Sequence, residues 1–342
     1  MTIARKGRLA VGLVGLGRLG RVYARDLASR IAETRLVAVA DPAGSLAHEV
    51  AEQFDVPRHY TDPLALIDEA AVDAVVVVSP TDTHRQVVIA AAQRGKPTFC
   101  EKPPALSLEE VAAMQEAVAR SGTFFQMGFM RRFDAGYASA KRQIEAGRIG
   151  TPLVFKSTSR DPFRPSLEYA NPRSSGGMLI DMGIHDFDLA RWFMGDVGTV
   201  ATIGATIAYP ELATVGDIDN AVASLTFSSG KLGVVDLSRS GIYGYDIATE
   251  ILGLEGTLKI GYLRETPVMV LTKNSVAHDT VPYFMERFRD AYTAQLQNFA
   301  QNVLQDRAAP ITIEDGLEAL RIGVAATRAH QTQMPVVVAD IR

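Results

Sequence analysis

The clearest chemical pattern in the sequence is a G-x-G-x-x-G that begins at Gly15, directly after an apolar run and at the start of a helical pattern. In that context Gly15 allows a tight turn, Gly17 leaves room for a diphosphate, and Gly20 lets the helix pack closely on the strand. The N–H groups and the positive dipole end at the start of the helix favour an anion there. The pattern therefore predicts a dinucleotide site that includes Arg18 and Leu19.

An acidic residue, Asp41, follows Gly20 at the spacing typical of a dinucleotide fold, at the end of a second apolar run. A carboxylate at this spacing can accept hydrogen bonds from both ribose hydroxyls of an adenosine, and it repels a 2′-phosphate. Pro42 follows it, and no arginine stands immediately beside it to pair with such a phosphate. The spacing predicts NAD rather than NADP. The alternative interpretation is an aspartate that only caps a helix or a turn.

A polar segment at residues 79–84 follows the apolar run Ala74–Val78. The carboxyl end of a parallel strand faces the ligand crevice of a doubly wound sheet. We therefore expect Ser79 and Thr81 to lie near the cofactor. His84 has two equal interpretations, one as a cofactor contact and the other as a residue that starts the next helix.

Two further segments carry groups that could act on an alcohol. Lys102 follows Glu101 at the end of another apolar run, which predicts Lys102 at the crevice edge and both residues in contact with the cofactor. Asp181, His185 and Asp188 are spaced i, i+4 and i+7, which places them on one face of a helix. An imidazole is a natural general base near neutral pH, and an ammonium can stabilise negative charge on oxygen. On spacing alone, a solvated acidic stripe around a packed histidine is the better interpretation.

Other chemistries have less support in the sequence. The six histidines are scattered without an H-x-x-x-H pair, and Cys100 is the single cysteine, so we predict no metal site. No nucleophile elbow is present, which leaves covalent hydrolase chemistry unsupported.

The groups in the first part of the chain are positioned by alternating strands and helices. Short apolar runs predict strands at Leu9–Val14, Leu36–Ala40, Ala74–Val78, Pro97–Cys100 and Phe124–Met127. Helical periodicity predicts helices at Leu19–Ser29, Ser45–Phe54, Arg85–Arg94 and Leu108–Arg120. Ser107 and Glu110 have capping-box spacing at the last of these. Strands that are apolar on both faces and separated by helices predict a doubly wound Rossmann domain over residues 1–128.

The pattern changes in the remainder, residues 129–342. It predicts a helix at Asp134–Ala146, a strand at Leu153–Ser159, a polar loop at Arg160–Gly177 and a helix at Leu179–Phe193. Strand patterns then follow one another at Val197–Ile207, Ala221–Phe227, Leu232–Ser238, Ile247–Leu254 and Thr257–Ile260, before helices at Phe284–Leu304 and Glu314–Thr332. Consecutive strands with short turns predict an α+β domain with an open, largely antiparallel sheet.

Bulk composition bounds the remaining possibilities. The chain has 342 residues, enough for about two domains, with 47% hydrophobic residues and a net charge of −4 without blocks of one sign. We therefore expect no nucleic-acid partner, and no run of about 20 apolar residues suggests a membrane span. Arg5, Lys6 and Arg8 precede a short, glycine-interrupted run that fits a first strand better than a signal peptide. With one cysteine, these features predict a cytoplasmic protein.

Taken together, these motifs resemble the Gfo/Idh/MocA oxidoreductase family, and within it the members that act on inositol. The resemblance is carried by the glycine fingerprint and by five later segments, which are Phe99–Pro103, Gln126–Asp134, Ser159–Pro162, Asp181–Asp188 and Tyr243–Asp246. It continues through Glu286-Arg287-Phe288 into the C-terminal helices. E-K-P and D-x-x-x-H mark the family broadly, whereas G-F-M-R-R-F-D and Y-G-Y-D are more specific to inositol-type members.

The resemblance implies a catalytic trio that maps onto Lys102, Asp181 and His185. It also implies a homotetramer and a set of substrate contacts at these three residues and at Met130, Arg131, Asp161, Asp188, Tyr243 and Tyr245. Two positions depart from the family pattern. Pro104 stands where an aliphatic residue is usual, and Ile247 stands where many inositol enzymes have glutamine. Neither removes catalytic chemistry, and the second bears on which polyol is the substrate.

These observations predict an NAD-dependent oxidation of myo-inositol at one secondary hydroxyl, which yields 2-keto-myo-inositol (scyllo-inosose) and NADH. His185 would act as general base, Lys102 would polarise the substrate oxygen, and Asp181 would support both. Scyllo-inositol, chiro-inositol or a pyranose sugar are the alternative substrates. A protein that binds NAD without turnover is the alternative of another class, although such a protein need not keep the trio.

Overall fold

The computed structural model describes residues 7–342, and these form two compact units. The first unit comprises residues up to Met130 together with Tyr292–Leu317, and the second comprises Arg131–Ala291 together with Glu318–Arg342. Arg5 and Lys6 lie outside the described residues. The domain division between residues 128 and 129 stays a prediction, to which the structure adds that the chain returns to the first unit after leaving it.

The first unit is a parallel sheet with the strand order β3-β2-β1-β4-β5-β6. Its strands are β1 (Leu9–Val14), β2 (Thr34–Ala40), β3 (His59–Tyr60), β4 (Ala74–Val77), β5 (Thr98–Glu101) and β6 (Phe125–Gly128). Its helices are α1 (Arg18–Arg25), α2 (Gly44–Gln53), α3 (Pro63–Asp68), α4 (Thr81–Gln93) and α5 (Leu108–Ser121). This is the predicted doubly wound architecture.

Local sequence explains most of these elements. Every residue of β1 and of β4 is buried, as expected for apolar strands covered on both faces. The Ser107 hydroxyl accepts a hydrogen bond from the Glu110 N–H at 3.2 Å and so starts α5 where the capping box predicted. The sequence did not reveal β3 and α3, because a two-residue strand of histidine and tyrosine has no apolar run.

The returning segment completes the core of the first unit. The Phe299 ring packs against Phe99 and Phe124, with ring centroids 5.9 and 5.8 Å apart. The Tyr292 ring packs edge-on against Tyr23, with centroids at 6.1 Å. Aromatic contacts of this geometry add to the stabilisation from burial. The strands and helices up to Met130 therefore share their core with a segment from near the other end of the chain.

The second unit is a mixed sheet with the order β12-β11-β7-β10-β9-β8-β15. The elements of this unit as far as β12 are α6 (Ala135–Glu145), β7 (Pro152–Arg160), α7 (Leu167–Ala170), α8 (Pro172–Ser175), α9 (Met178–Asp181), α10 (Ile184–Met194), β8 (Val197–Ala205), β9 (Asn220–Phe227), β10 (Leu232–Ser238), β11 (Asp246–Gly253) and β12 (Thr257–Ile260). Then follow β13 (Met269–Leu271), β14 (Val276–His278), α11 (Phe284–Arg287), α12 (Arg289–Leu304), α13 (Ile313–Thr332) and β15 (Val336–Val337), of which α12 and α13 are shared with the first unit.

The pairing in this sheet is largely antiparallel, as predicted. Strands β7 and β10 pair in parallel, whereas β7–β11, β9–β10, β8–β9, β11–β12 and β8–β15 pair antiparallel. Along β9, buried residues alternate with exposed or half-buried ones, so one face of the sheet lies on the core and the other faces outward. The predicted fold class is confirmed.

Two predicted helices are interrupted in the structure. The helix predicted at Leu179–Phe193 divides into α9 and α10, because the Gly183 N–H bonds to the carbonyl five residues back, at Met178. A side chain at Gly183 would lie 2.5 Å from the Leu179 carbonyl oxygen, so the turn depends on glycine. The helix predicted at Phe284–Leu304 divides into α11 and α12, which are separated at Phe288. The predicted loop at Arg160–Gly177 contains α7 and α8, capped by the side chains of Ser166 and Asn171.

Candidate active site

The glycine loop has the shape that a dinucleotide requires. Gly15 has a positive φ of 93°, and a Cβ there would lie 2.5 Å from the Ser79 nitrogen. A Cβ at Gly20 would lie 2.2 Å from the Gly15 carbonyl oxygen. At Gly17, by contrast, a Cβ would meet nothing within 4 Å, and this residue caps the start of α1. Two glycines therefore pack the loop tightly, while the third leaves open space beside a helix N-terminus, as a diphosphate needs.

Asp41 lies next to this loop. One carboxylate oxygen accepts the Leu16 N–H at 2.9 Å, and the other accepts the Ala43 N–H at 3.0 Å. The side chain therefore fixes the backbone of the glycine loop and remains partly exposed. This is compatible with the predicted contact to ribose hydroxyls, which stays a prediction, as do the contacts of Arg18 and Leu19 in the first turn of α1.

His84 lies buried between two loops of the first unit. Its Nδ1 is 2.9 Å from the Pro103 carbonyl oxygen, and its Nε2 is 2.9 Å from the Ser79 carbonyl oxygen. Burial lowers the pKa of His84, and a neutral imidazole has one N–H to donate. The neutral ring therefore donates to one of these two carbonyl oxygens and lies against the other, between the loop after β4 and the residue that follows Lys102. These contacts give His84 a position inside the protein, and its predicted cofactor contact stays a prediction.

The loop after β4 contains the two other predicted cofactor contacts. The hydroxyls of Ser79 and Thr83 are 2.6 Å apart, and Thr81 begins α4. Both predicted residues lie at the carboxyl end of a parallel strand, as expected.

Glu101 and Lys102 follow the neighbouring strand. The Glu101 carboxylate is buried, and it accepts hydrogen bonds from the Tyr23 hydroxyl, from the Gln295 amide at 3.1 Å and from the Lys102 N–H at 3.1 Å. Burial raises the pKa of Glu101, and the Lys102 charge opposes that effect. The carboxylate thus holds the backbone of Lys102 in place, while the lysine side chain is half-exposed.

In the second unit, Asp181 ends α9 and His185 lies in the first turn of α10. The Tyr169 hydroxyl donates to one oxygen of Asp181 at 2.9 Å. An Arg239 nitrogen lies 3.6 Å from the other oxygen. The His185 side chain is largely buried. Asp181 is thus a carboxylate held from two sides within this unit.

Arg131 is a buried residue with an internal partner. Its guanidinium donates to Asp186 at 2.8 Å and to the Ser159 hydroxyl at 3.2 Å. Asp186 is itself fully buried and also accepts hydrogen bonds from the hydroxyls of Ser157 and Ser159. Burial opposes the charge of Arg131, but the Asp186 carboxylate outweighs that effect and raises the pKa of Arg131. Arg131 is therefore a fixed cation, and its predicted contact with substrate stays a prediction.

Asp188 also has an arginine partner inside the unit. The Arg132 guanidinium donates to its two oxygens at 3.0 and 2.5 Å. Arg132 lies in turn over the Trp192 ring, 5.6 Å from its centroid. The structure thus places Asp188 in a bidentate ion pair, a rigid geometry, and leaves its predicted substrate contact untested.

The remaining predicted substrate contacts differ in exposure. Tyr243 is exposed and donates to Asp246 at 3.0 Å. Tyr245 is buried, with its ring against Tyr283 and Phe288, and burial raises the pKa of its hydroxyl. Asp161 is half-buried after β7, its N–H bonded to the Ser238 carbonyl at 2.8 Å.

Two positions singled out in the sequence carry apolar side chains, the predicted substrate contact Met130 and the departure from the family pattern at Ile247. Met130 is buried at the start of a 3₁₀ turn, Met130–Phe133. Ile247 is buried on β11, opposite Ser159 of β7.

The structure assigns the predicted residues to units as follows. The glycine loop, Asp41, Ser79, Thr81, His84, Glu101, Lys102 and Met130 belong to the first unit, and the other predicted substrate contacts, with Asp181 and His185, belong to the second. The convergence of Lys102 and His185 on one alcohol remains a prediction. Sequence reasoning missed Tyr169, Asp186, Asp217 and Arg239. Only Asp186 had a local signal, since it lies within the Asp181–Asp188 segment.

Residues 7–342 contain no candidate for a metal site or for a membrane-spanning helix. No group of three histidine, cysteine or acidic side chains could hold a metal ion in this part of the chain. No helix of the described residues has the length and hydropathy to cross a membrane. Cys100 is buried, and burial raises the pKa of its thiol.

Two family models match the chain, one for each part. A model described as the NAD-binding Rossmann fold of the GFO_IDH_MocA oxidoreductase family matches residues 9–129. A second, described as the C-terminal alpha/beta domain of the same family, matches residues 141–338. Together they span most of the sequence, and the first assigns NAD as the cofactor of the Rossmann unit.

Individual relatives are similar over almost their whole length. The chain is 40% identical over 325 residues to a scyllo-inositol 2-dehydrogenase (NAD(+)) of Bacillus subtilis, covering 95% of this chain and 94% of that one. It is 39% identical to a myo-inositol 2-dehydrogenase of Thermotoga maritima, covering 97% and 99%. The structure of a Lactobacillus casei scyllo-inositol dehydrogenase with bound NAD(H) and scyllo-inositol superposes with a TM-score of 0.92 at 32% identity, covering 97% and 99%.

Proposed function

Because the chain belongs to the Gfo/Idh/MocA oxidoreductase family, we propose that it oxidises a ring hydroxyl of a cyclic polyol with NAD, and that the substrate is myo-inositol. The product is then 2-keto-myo-inositol (scyllo-inosose). The observation that carries the proposal is the near-full-length similarity to relatives named as inositol dehydrogenases. The predicted acid–base residues Lys102, Asp181 and His185 are all present in this chain.

The first unit supplies the cofactor site. Gly15, Gly17 and Gly20 would hold the diphosphate, and Asp41 the adenosine ribose, while Ser79 and Thr81 lie on the neighbouring loop. The open space at Gly17 and the tight packing at Gly15 and Gly20 fit this group. Bound NAD supplies the oxidant, because nicotinamide accepts a hydride.

The chain's own residues provide for the proton and for the charge on oxygen. The His185 imidazole accepts the hydroxyl proton as the C–O bond becomes a carbonyl. The Lys102 ammonium donates a hydrogen bond to that oxygen and stabilises its developing negative charge. The Asp181 carboxylate compensates the positive charge that His185 gains. Glu101 and His84 hold the backbone on the two sides of Lys102 and so orient it.

A substrate screen tests the reaction. NADH formation is measured with NAD and with NADP across myo-, scyllo- and chiro-inositol and glucose. We expect the highest kcat/KM for myo-inositol with NAD. A higher kcat/KM for glucose than for every inositol would contradict the proposed substrate but would leave the family assignment unchanged. No turnover with any polyol would favour the alternative of an NAD-binding regulator.

Two variants test the residue roles. Lys102→Met and His185→Ala should each lower kcat by a factor of about 10² to 10⁴, the usual contribution of a positioned acid or base. NAD binding, measured by titration calorimetry, should persist in both because neither change touches the glycine loop. Near-normal rates in both variants would refute the mechanism.

Scyllo-inositol is the second candidate substrate, and two observations favour it. A relative at 40% identity is named for scyllo-inositol, and so is the structure described above. Ile247, which replaces the glutamine of many inositol enzymes, lies opposite Ser159 and does not by itself distinguish the two isomers. The ratio of kcat/KM for the two isomers decides between them.

We also propose that the protein is a homotetramer formed through the second-unit sheet, as the family resemblance implies. The outward face of this sheet exposes large apolar side chains, among them Ile203 at 74% and Val222 at 48%. Exposed apolar area of this kind commonly marks an interface. Light scattering should give the mass of four chains, and Ile203→Glu/Val222→Glu should lower it. A monomeric parent protein would contradict this proposal. Cytoplasmic location stays a prediction.

A further inference from the structure

Asp181 lies at the end of a charged chain that extends through the second unit. The Tyr169 hydroxyl donates to its Oδ1 at 2.9 Å, and Arg239 Nη2 lies 3.6 Å from its Oδ2. The other terminal nitrogen of Arg239 donates to an oxygen of Asp217. The second Asp217 oxygen accepts the N–H of Met178, the first residue of α9, at 2.9 Å. The helix that ends at Asp181 is therefore bonded at its start to the same network.

The central cation of this network is buried. Arg239 is 1% exposed and Asp217 is 5% exposed. A buried guanidinium is tolerated only when carboxylates and hydrogen bonds compensate its charge. The Arg239 N–H also donates to the Asp219 carbonyl at 2.8 Å, which fixes the backbone beside the side chain. Arg239 thus lies between Asp217, which accepts a hydrogen bond from Nη1, and Asp181, whose Oδ2 lies 3.6 Å from Nη2.

Tyr169 approaches Asp181 from another element. It lies on α7, whose first turn is capped by the Ser166 hydroxyl at 3.2 Å from the Tyr169 nitrogen. The charge of Asp181, together with burial of the hydroxyl, raises the pKa of Tyr169 well above its usual value. The hydroxyl thus keeps its proton at any pH at which the enzyme works, and it remains a donor to the carboxylate.

We propose that Arg239 and Tyr169 are positioning residues, which hold the Asp181 carboxylate in one orientation so that it can support His185 as the base. Asp217 holds Arg239 in place and connects it to the start of α9. This inference rests on the proposed function, because it assigns a task to residues that act through Asp181. In this network Asp181 faces Tyr169 and Arg239, with Asp217 beyond Arg239 and Tyr283 near Tyr169. His185 follows four residues along the chain, across the turn at Gly183 between α9 and α10.

The decisive activity experiment is a pH–rate series. Tyr169→Phe removes one donor to the carboxylate and should lower kcat about tenfold, with the KM for NAD unchanged. Arg239→Met should lower kcat about 100-fold and move the acid limb of the kcat profile upward by about one pH unit, because loss of a nearby cation favours protonation. Arg239→Lys restores the charge, so it should return the acid limb toward that of the parent protein while recovering only part of kcat.

Matched controls separate positioning from general damage. Tyr262→Phe removes a tyrosine hydroxyl from the same unit at similar exposure, 52% against 49% for Tyr169, and it should keep the parent kcat. Its hydroxyl donates to the Arg287 carbonyl rather than to a carboxylate. If Arg239→Met does not fold, Tyr169→Phe and Arg239→Lys still decide. Parent kcat and an unchanged pH profile in both would overturn the proposal.

A second measurement does not depend on turnover. The Tyr169 ring is followed by NMR of tyrosine labelled at the ring carbon that bears the hydroxyl, in the parent protein and in Asp181→Asn. Loss of the Asp181 charge should let Tyr169 ionise at a lower pH. An unchanged Tyr169 titration would show that the contact is absent in solution and would end this proposal. Failure of the substrate screen with a shifted titration would instead count against the proposed function alone.

Discussion

Glu101 of the first unit and three carboxylates of the second unit are all buried, but they have different partners. In the first unit, Glu101 accepts hydrogen bonds from neutral donors, the hydroxyl of Tyr23, the amide of Gln295 and a backbone N–H. In the second unit, three buried carboxylates each have an arginine partner, in the pairs Asp186–Arg131, Asp188–Arg132 and Asp217–Arg239.

The partners of a buried carboxylate decide whether it can take up a proton. An arginine stays charged at any relevant pH, so each of these pairs keeps its cation and is a fixed feature of the fold. The hydrogen bonds to Glu101 come from neutral donors, and burial raises the pKa of this carboxyl. We infer that the three arginine-paired carboxylates of the second unit are fixed features, whereas Glu101 of the first unit is an acid that can take up a proton beside Lys102.

The largest expected effect is in the second unit. Arg131→Met leaves the Asp186 charge buried without its cation, and it should lower the free energy of unfolding by about 3–5 kcal/mol. Trp192 is the only tryptophan and lies in this unit, so its fluorescence in urea reports the change. The double change Arg131→Met/Asp186→Asn should recover part of the loss, because the uncompensated charge is gone. A double variant less stable than Arg131→Met would show that the uncompensated charge of Asp186 is not the cause of the loss.

The next effect is in the first unit. Tyr23→Phe removes a donor to a carboxylate and should lower the free energy of unfolding by about 1.5–3 kcal/mol, as for hydrogen bonds to charged groups. The matched control is Tyr137→Phe, where a buried hydroxyl 3.0 Å from the Thr249 hydroxyl is lost. There we expect about 0.5–1.5 kcal/mol, as for neutral pairs. Equal losses in urea unfolding would mean that Glu101 is not charged when Tyr23 is bonded to it.

A smaller effect concerns pH. Because the folded state raises the pKa of Glu101, its contribution to stability is present below about pH 4.5 and is lost as pH rises through the folded-state value. The stability of the parent protein relative to Glu101→Gln should therefore decrease with rising pH in this window, by at most about 1.4 kcal/mol per pH unit. Urea unfolding of both proteins at a series of pH values measures it. A difference that grows with pH would reverse the assignment.

The smallest effect is expected at the surface. Glu49 pairs with Arg21 at 2.9 Å with both side chains exposed, and this hydrogen bond lowers the pKa of Glu49. The sign is the opposite of that for Glu101, since the contribution is present above about pH 4.5 and lost as pH falls. Glu49→Gln should leave the melting temperature almost unchanged in physiological salt, because such pairs are weak and screened. A large decrease in the melting temperature would show that exposure does not distinguish Glu49 from the buried carboxylates.

Much of the fold could be predicted because its signals are local. Apolar runs such as Leu9–Val14 and Ala74–Val77 are buried on both faces, and only a covered parallel strand accommodates them. The short strand at His59–Tyr60 and the break at Gly183 gave no such signal. The first is too short to have a period, and the second depends on a close approach to the Leu179 carbonyl that only the folded chain contains.

The candidate site was predictable in the same uneven way. The glycine loop and Asp41 follow from spacing, because one turn and the next strand end fix them. Tyr169 precedes Asp181 on a separate short helix, and Arg239 follows it only after three further strands, each without a motif of its own. Their contacts exist because the sheet and two short helices bring them together, and a single sequence does not encode that proximity in any local pattern.

The return of Tyr292–Leu317 to the first unit has a consequence for how the protein is made. On the ribosome, the strands of the cofactor half emerge early, but Phe299 and Tyr292, which pack against Phe99 and Tyr23, follow only after the second unit has been synthesised. Apolar surface of the early half therefore stays uncovered until late in translation. During that time chaperones can bind it. For the same reason, a gene fragment that stops at Met130 would not carry a complete nucleotide-binding half.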